Sequence, residues 1–448
     1  MIRDRDIKQN SRLPAEPIDR LVDPLNRFLH IQSASGVVLL LFTAAALVLA
    51  NSPVSEDFLS FWKLTAGVSL GEFEFRHSLK HWINDGLMVV FFFAVGLEVK
   101  RELVLGELQS LRSAALPVAA AIGGMAVPAL VYLTFQWGAA GERGWGIPMA
   151  TDIAFVVGCM ALLGSRVPRS LRVLLLTLAI ADDIGAILVI AVGYAGELNL
   201  QSLMWGGVGI GAVVMLARNG VRSVPVYVAF GLGIWYAFHE SGVHATVAGV
   251  VLGLLTPVRP WIHHGLFAEL IDDLREFLHG DAWQDPEVRL DMLKSAKLAV
   301  REAASPAERL ESLLHPWVSF VIMPLFAFAN AGVRIEFAAF AEPVAVAVAV
   351  GLIIGKPLGI VLFSWLAVCA GLAQLPDGVS WKVLGAGGVL AGIGFTMSLF
   401  IAGLALQDPL LDAAKVGILS GSAVCATLGM ALLRWLLPQP LRTESSSR

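Results

Sequence analysis

The sequence predicts an all-α polytopic membrane protein of twelve transmembrane helices with inverted-topology repeats. Two of the twelve, the fourth and the eleventh, are expected to be discontinuous and to cross. A short extracytoplasmic β-hairpin is expected as well. Three observations carry the prediction. First, 56% of the 448 residues are hydrophobic and only 15% are charged, against about 45–50% and about 25% in soluble proteins. Mean hydropathy is +0.73. Second, the apolar residues fall in long unbroken runs, not in the alternating ten-residue segments of a membrane barrel. Third, a few ionisable residues stand in the middle of those runs, where a chain that merely had to pack would carry leucine.

The runs are roughly 34–50, 82–99, 115–137, 145–164, 173–194, 201–217, 223–238, 243–257, 315–333, 343–371, 383–405 and 411–436. Each reaches, or comes close to, the roughly 20 residues needed to cross a bilayer core. The residues before them are polar and charged, with no apolar stretch leading to a cleavage site. The first run is therefore expected to remain as a helix and not to be removed as a signal peptide. The organisation that follows is an N-terminal cytoplasmic tail (1–33), a twelve-helix domain (34–436) and a C-terminal cytoplasmic tail (437–448). Between the first two runs, 62–75 reads WKLTAGVSLGEFEF, with Val68, Leu70, Phe73 and Phe75 placed around Gly71. That pattern predicts a β-hairpin at the membrane surface.

Orientation follows from lysine and arginine. With the N-terminus inside, 25 of the 32 basic residues fall in cytoplasmic loops and tails and six in external ones, and Lys356 lies within a run. The bias puts both termini in the cytoplasm. The one large loop, 258–314, has seven basic and eleven acidic residues, so its balance of −4 equals the net charge of the chain. Its amphipathic stretches near 265–279 and 286–303 predict two surface helices. The pI near 6.2 leaves no basic footprint for nucleic acid. Cys159, Cys369 and Cys425 are odd in number and lie in apolar runs. They read as small packing residues.

The informative residues are Asp152, the pair Asp182–Asp183, and Lys356. A charge at a helix centre costs about 2.5–3.5 kcal/mol on insertion scales, so four cost on the order of 10–14 kcal/mol. A buried ion pair that sets helix register accounts for one acid and the base. It leaves two carboxylates without partners, which is expensive. Asp182 and Asp183 are successive, so on a helix they point about 100° apart. One can face a neighbouring helix while the other faces a cavity. Such carboxylate oxygens hold a proton or a small hard cation, but not both, which is the minimal chemistry of an exchanger.

Backbone composition adds to this. The fourth run brings Gly144, Gly146 and Pro148 up to Thr151 and Asp152, and the eleventh brings Gly385, Gly387, Gly388, Gly392 and Gly394 up to Thr396. Interrupted helices in corresponding positions of two inverted halves point to a binding site at the membrane midplane. Broken helices expose carbonyls and dipole ends that a nearby Asp and Lys compensate. Weaker signals fail on their own terms. Gly351 to Pro357 echoes a phosphate loop but is one residue short and lacks Ser or Thr. His263 and His264 have no companion ligands at useful spacing. A symporter for an organic anion would need substrate-clamping bases inside the runs, and Lys356 is the only one at mid-run. An intramembrane aspartyl protease would need a GxGD string, and the chain reads A-D-D-I-G.

These motifs resemble those of the NhaA-type sodium/proton antiporters of bacterial inner membranes. The matching strings include FFFAVGLEVKREL (91–103), ATDIAFVVG (150–158), LAIADDIGAILVIAV (178–192), SGVHATVAGV (241–250), GKPLGI (355–360) and AGIGFTMSLFIA (391–402). Inverted repeats are a property of that family. The resemblance implies electrogenic exchange of cytoplasmic Na⁺, or Li⁺, for external H⁺, with activation at alkaline pH and no cofactor. It implies that Asp183 is the main cation-binding carboxylate. Asp182 would carry a proton and pair with Lys356, and Thr151 and Asp152 would lie near the cation at the helix break. It ties Glu98, Arg101, Glu102, His244, Glu311 and His315 to pH response, and matches Asp85 to an acidic position of no certain role. It also implies a homodimer formed through the 62–75 hairpin. Two departures fall in the pH-responsive region: loop 258–314 is longer than in compact relatives, and Ser312 stands where some members have a second histidine.

Overall fold

The computed structural model describes residues 32–70, 73–221, 223–260, 262, 264–279 and 284–437. Residues 1–31 and 438–448 of the two tails, Gly71 at the expected hairpin turn, and His263 lie outside the described residues. The described chain is mostly helical, with one two-stranded sheet.

Apolar α1 (Gln32–Ala50) is followed by the short α2 (Ser55–Phe61) and the antiparallel strands β1 (Thr65–Leu70) and β2 (Phe73–Ser78). The hairpin therefore begins and ends about three residues later than the sequence pattern places it. Trp62 belongs to the end of α2 and packs with Phe58 and Phe328 instead of entering a strand. The strands lead into α3 (Leu79–Leu105), which has a π turn over Trp82–Leu87. Next comes α4 (Leu111–Gln136), capped at Ser110.

A 3₁₀ segment, Glu142–Met149, leads to the separate helix α5 (Ile153–Leu163). After it come α6 (Arg169–Gly193), α7 (Leu200–Arg218), α8 (Val224–Ser241) and α9 (Thr246–Leu255). The long loop holds α10 (His264–His279) and α11 (Pro286–Ala303), where the amphipathic pattern expects them. Then α12 (Pro306–Asn330) enters the apolar body. It starts nine residues before the apolar run at 315, because Ser305 and Glu308 form a reciprocal capping box that begins the helix on polar sequence. The loop accordingly ends at 305, not 314.

The remaining helices are α13 (Pro343–Cys369), α14 (Trp381–Ala391), α15 (Phe395–Ala405) and α16 (Leu410–Leu436). Axes α14 and α15 differ by 51° across the break at 392–394. Among the described residues, eight helical stretches are long and apolar enough to cross a membrane, the 3₁₀ segment and α5 counted together as Glu142–Arg166, or nine if the bent α14–α15 pair counts as one span.

Burial sorts these helices into centre and rim. Of the most apolar window in α6, 67% is buried within the chain, and the figure is 61% for Glu142–Arg166 but 11% for α7. The outer helix instead exposes Met204, Trp205, Val208 and Met215, as a lipid-facing surface should. Small residues let the central helices touch. At the crossing of α4 and α13, a methyl on Gly359 would run into the backbone carbonyl of Gly123, the close approach that drives helix association in lipid. Cys159 and Cys425 are buried as expected, whereas Cys369, at the end of α13, is exposed.

Candidate functional site

Both breaks leave backbone groups without helical partners, and they meet. Asp152 N–H donates to Ile393 O at 2.7 Å. The Thr151 hydroxyl lies 3.1 Å from Ala391 O, and Ser398 Oγ donates to Ile147 O at 2.7 Å. Each break thus satisfies carbonyls that the other exposes. The Asp152 carboxylate joins the two helices that start here. Its Oδ1 accepts from Phe155 N in the first turn of α5 at 3.1 Å. Its Oδ2 accepts from Thr396 N at 3.1 Å and from the Thr396 hydroxyl, in the first turn of α15. One anion therefore caps two helix N-termini, where both dipoles favour negative charge. Ser422 on α16 accepts from Phe395 N at 3.2 Å and completes that end.

Asp182, on α6, faces this crossing. Its Oδ2 accepts from Lys356 Nζ at 2.7 Å and lies 2.6 Å from Thr151 Oγ1. The Thr151 hydroxyl has one proton for two acceptors, Asp182 or Ala391 O. Lys356 is fully buried where the π turn of α13 (Gly351–Gly355) becomes α-helix. It also donates to Met149 O, at the end of the 3₁₀ segment, so one ammonium compensates a carboxylate and a broken helix end together.

The carboxylates differ sharply in what remains unused. Both oxygens of Asp152 are engaged. Asp182 Oδ1 is buried and, among the described residues, has no hydrogen-bond partner. Asp183 is 4% exposed, and among the described residues no hydrogen bond or ion pair reaches its carboxylate. Two adjacent carboxyl groups thus keep oxygen ligands available beside a fixed positive charge. Hard cations are held by such oxygens, and so are protons.

The residues that the resemblance links to pH response fall into two places. Arg101 Nη1 is 2.6 Å from Glu311 Oε1, which joins the end of α3 to the start of α12. Glu102 Oε1 accepts from Glu107 N at 2.8 Å and stands 3.5 Å from Thr177 Oγ1 on α6. Glu98 is half-buried on the same stretch of α3. His315 is exposed and, among the described residues, makes no hydrogen bond or ion pair. His244 is apart from this group: its Nδ1 meets Thr246 Oγ1 at 2.8 Å, and its Nε2 is 3.9 Å from Asp85 Oδ1. Asp85 and Arg101 are 16 residues apart on α3, about 24 Å along a helix.

Sequence reasoning did not find Ser398, Ser422 or the Met149 carbonyl, because small hydroxyls and backbone groups in apolar runs carry no distinguishing pattern. It also missed that Asp85 faces His81 and His239 as well as His244. Only the His81–Asp85 spacing of four hints at that cluster.

A buried Asp–Lys pair beside two helix breaks, with a neighbouring carboxylate left open, puts ionisable groups inside the apolar spans of a multi-pass membrane protein. Comparison with known sequences is more specific: the model of the family described as Na⁺/H⁺ antiporter 1 matches residues 26–433, and the chain belongs to that family. It is 55% identical over 430 residues to the Na(+)/H(+) antiporter NhaA of Rhodopirellula baltica, covering 96% of this chain and 98% of that protein. It is 55% identical over 433 residues to the NhaA of Rhizobium meliloti, covering 96% and 99%. The NhaA 2 of Acidiphilium cryptum is 50% identical over 434 residues, covering 97% of each.

Proposed function

We propose that this protein exchanges cytoplasmic Na⁺, or Li⁺, for external H⁺ across the bacterial inner membrane, with Asp183 and Asp182 as the shared site. Family membership and near full-length likeness to proteins named Na(+)/H(+) antiporter support the exchange. The observation that carries the site assignment is the open carboxylate: Asp183 without a hydrogen bond from the described residues, beside Asp182 with one buried oxygen unpartnered.

In this reading the cation is substrate, held on the oxygens of Asp183 and Asp182. Deprotonation at alkaline pH lets Na⁺ enter from the cytoplasm, and the outward-facing site releases it and takes up protons. Two adjacent carboxyl groups can carry more protons than the single charge of Na⁺, which supports electrogenic exchange. Lys356 neutralises Asp182, Asp152 holds the crossing together, and Thr151 moves its proton between Asp182 and Ala391 O as the site rearranges. Rocking of one bundle against the other gives alternating access. Glu98, Arg101, Glu102, Glu311 and His315 form the cytoplasmic group that adjusts activity to pH, and His244 acts with Asp85 from the external end. No resident cofactor takes part.

The same reading assigns twelve spans. To the eight long helices and the bent α14–α15 pair it adds α1, α8 and α9. The basic-residue bias supports cytoplasmic termini, and the sheet at 65–78 supplies an edge through which two copies pair.

The test is proton flux in everted vesicles on addition of Na⁺, Li⁺ or K⁺, from neutral to alkaline pH. The expected result is flux with Na⁺ and Li⁺ that is abolished by Asp183→Asn. Full Na⁺-dependent flux in Asp183→Asn would overturn the site.

A further inference from the structure

We propose that His77, His81 and His239 form a binding site for a borderline transition-metal dication, with Zn²⁺ as the best fit and Asp85 as the fourth donor. The site is separate from the carboxylates of α6. Hard Na⁺ prefers oxygen, whereas imidazole nitrogen suits Zn²⁺, Cu²⁺ and Ni²⁺.

Three elements bring the donors together. His77 comes from the end of β2, His81 from the first residues of α3, and His239 from the end of α8. One ring nitrogen from each lies within 4.8 Å of the other two. A tetrahedral Zn²⁺ with bonds of about 2.0–2.1 Å needs nitrogens about 3.4 Å apart, so side-chain movements on the order of 1 Å would close the shell. All three side chains are half-buried, leaving a path for a hydrated ion.

Packing alone explains part of this arrangement. His77 and His81 stack at 4.2 Å, and Trp235 stacks on His239 at 5.9 Å. Stacking does not explain why the nitrogens converge or why an acid faces them. His81 Nε2 is buried without a hydrogen-bond partner among the described residues, and Asp85 Oδ2 stands 3.5 Å from it and 3.9 Å from His239 Nδ1. The other oxygen, Oδ1, is turned to His244. Three imidazoles and one carboxylate oxygen complete a four-coordinate set. A metal there would clip the hairpin to the ends of α3 and α8, where Trp82 Nε1 already donates to Ala66 O at 2.8 Å.

The test uses the purified full-length protein, free of any histidine tag, in lipid nanodiscs. Zn²⁺ is titrated against a chromophoric chelator, and Co²⁺ is added as a coordination probe. The expected result is one Zn²⁺ per chain, a rise in Tm on adding Zn²⁺, and the intense visible bands of tetrahedral Co²⁺. His77→Ala and His239→Ala should each weaken binding more than about 10-fold and lose the Tm rise, while their metal-free Tm stays near that of the parent. Equal Zn²⁺ affinity in parent and variants would overturn the site. If a variant does not fold, the parent decides alone: no tetrahedral Co²⁺ spectrum, or no Zn²⁺-dependent Tm change, also overturns it.

Discussion

Lys356 Nζ lies 2.7 Å from Asp182 Oδ2, and neither side chain has contact with solvent. Two ions taken out of water stabilise each other only as a pair, and removing one leaves the other uncompensated, at a cost of about 3–5 kcal/mol. Lys356→Ala should therefore lower Tm strongly in thermal unfolding of the purified protein. Adding Asp182→Leu to that background should recover much of the loss, although transport is gone. A single variant as stable as the parent would remove the pair from the account of the fold.

Asp152 is the second buried charge on which the fold depends. Asp152→Ala would leave Phe155 N, Thr396 N and the Thr396 hydroxyl unpaired inside the protein. Each unsatisfied buried donor costs about 1–3 kcal/mol. Thr396→Val, which removes one donor and keeps the carboxylate bonded to backbone, should cost less. The order of the two melting temperatures checks the double-cap geometry.

The proposed sharing of Asp183 and Asp182 between Na⁺ and protons fixes the expected sign of the pH dependence. With protons and Na⁺ competing for the same oxygens in that mechanism, acidification is expected to weaken Na⁺ binding and alkalinisation to strengthen it until the site is fully deprotonated. The apparent KM for Na⁺ should rise about tenfold per unit of falling pH for each proton displaced, so up to about a hundredfold per unit where both carboxyl groups are protonated, and level off on the alkaline side. Everted-vesicle flux at graded Na⁺ measures it directly. A KM that does not move with pH would mean separate sites for the two ions.

Helix contact gives an independent check. Gly359→Ala places a methyl against the Gly123 carbonyl with nothing flexible to yield, and overpacking of this kind costs about 1–3 kcal/mol or more. Gly207→Ala on the lipid-facing α7 meets nothing within 4 Å, and should leave Tm unchanged or slightly raised. Differential melting of the two variants separates a packed crossing from a generic intolerance of alanine.

Some of this was readable in the chain. Asp152, Asp182, Asp183 and Lys356 stand out because each interrupts an apolar run, and α10 and α11 follow from their amphipathic period. The start of α12 was hidden because the capping box at Ser305 lies in polar sequence that reads as loop. The hairpin shifted because Trp62 looks like a strand residue but packs as a helix end. His77, His81 and His239 look like ordinary polar residues near span ends, and only the fold brings them to one place.

The sequence by itself determined that this is a membrane protein with ionisable groups inside its spans. Hydrocarbon makes every buried charge costly, so such residues are conspicuous. Only the tertiary structure decided which of those charges are occupied. Lys356 and Asp182 meet across 174 positions, and Thr396 and Asp152 across 244. No local pattern records pairings at that separation, because they are made by helices that meet only after folding. Once made, they leave Asp183 and one oxygen of Asp182 without hydrogen-bond partners among the described residues.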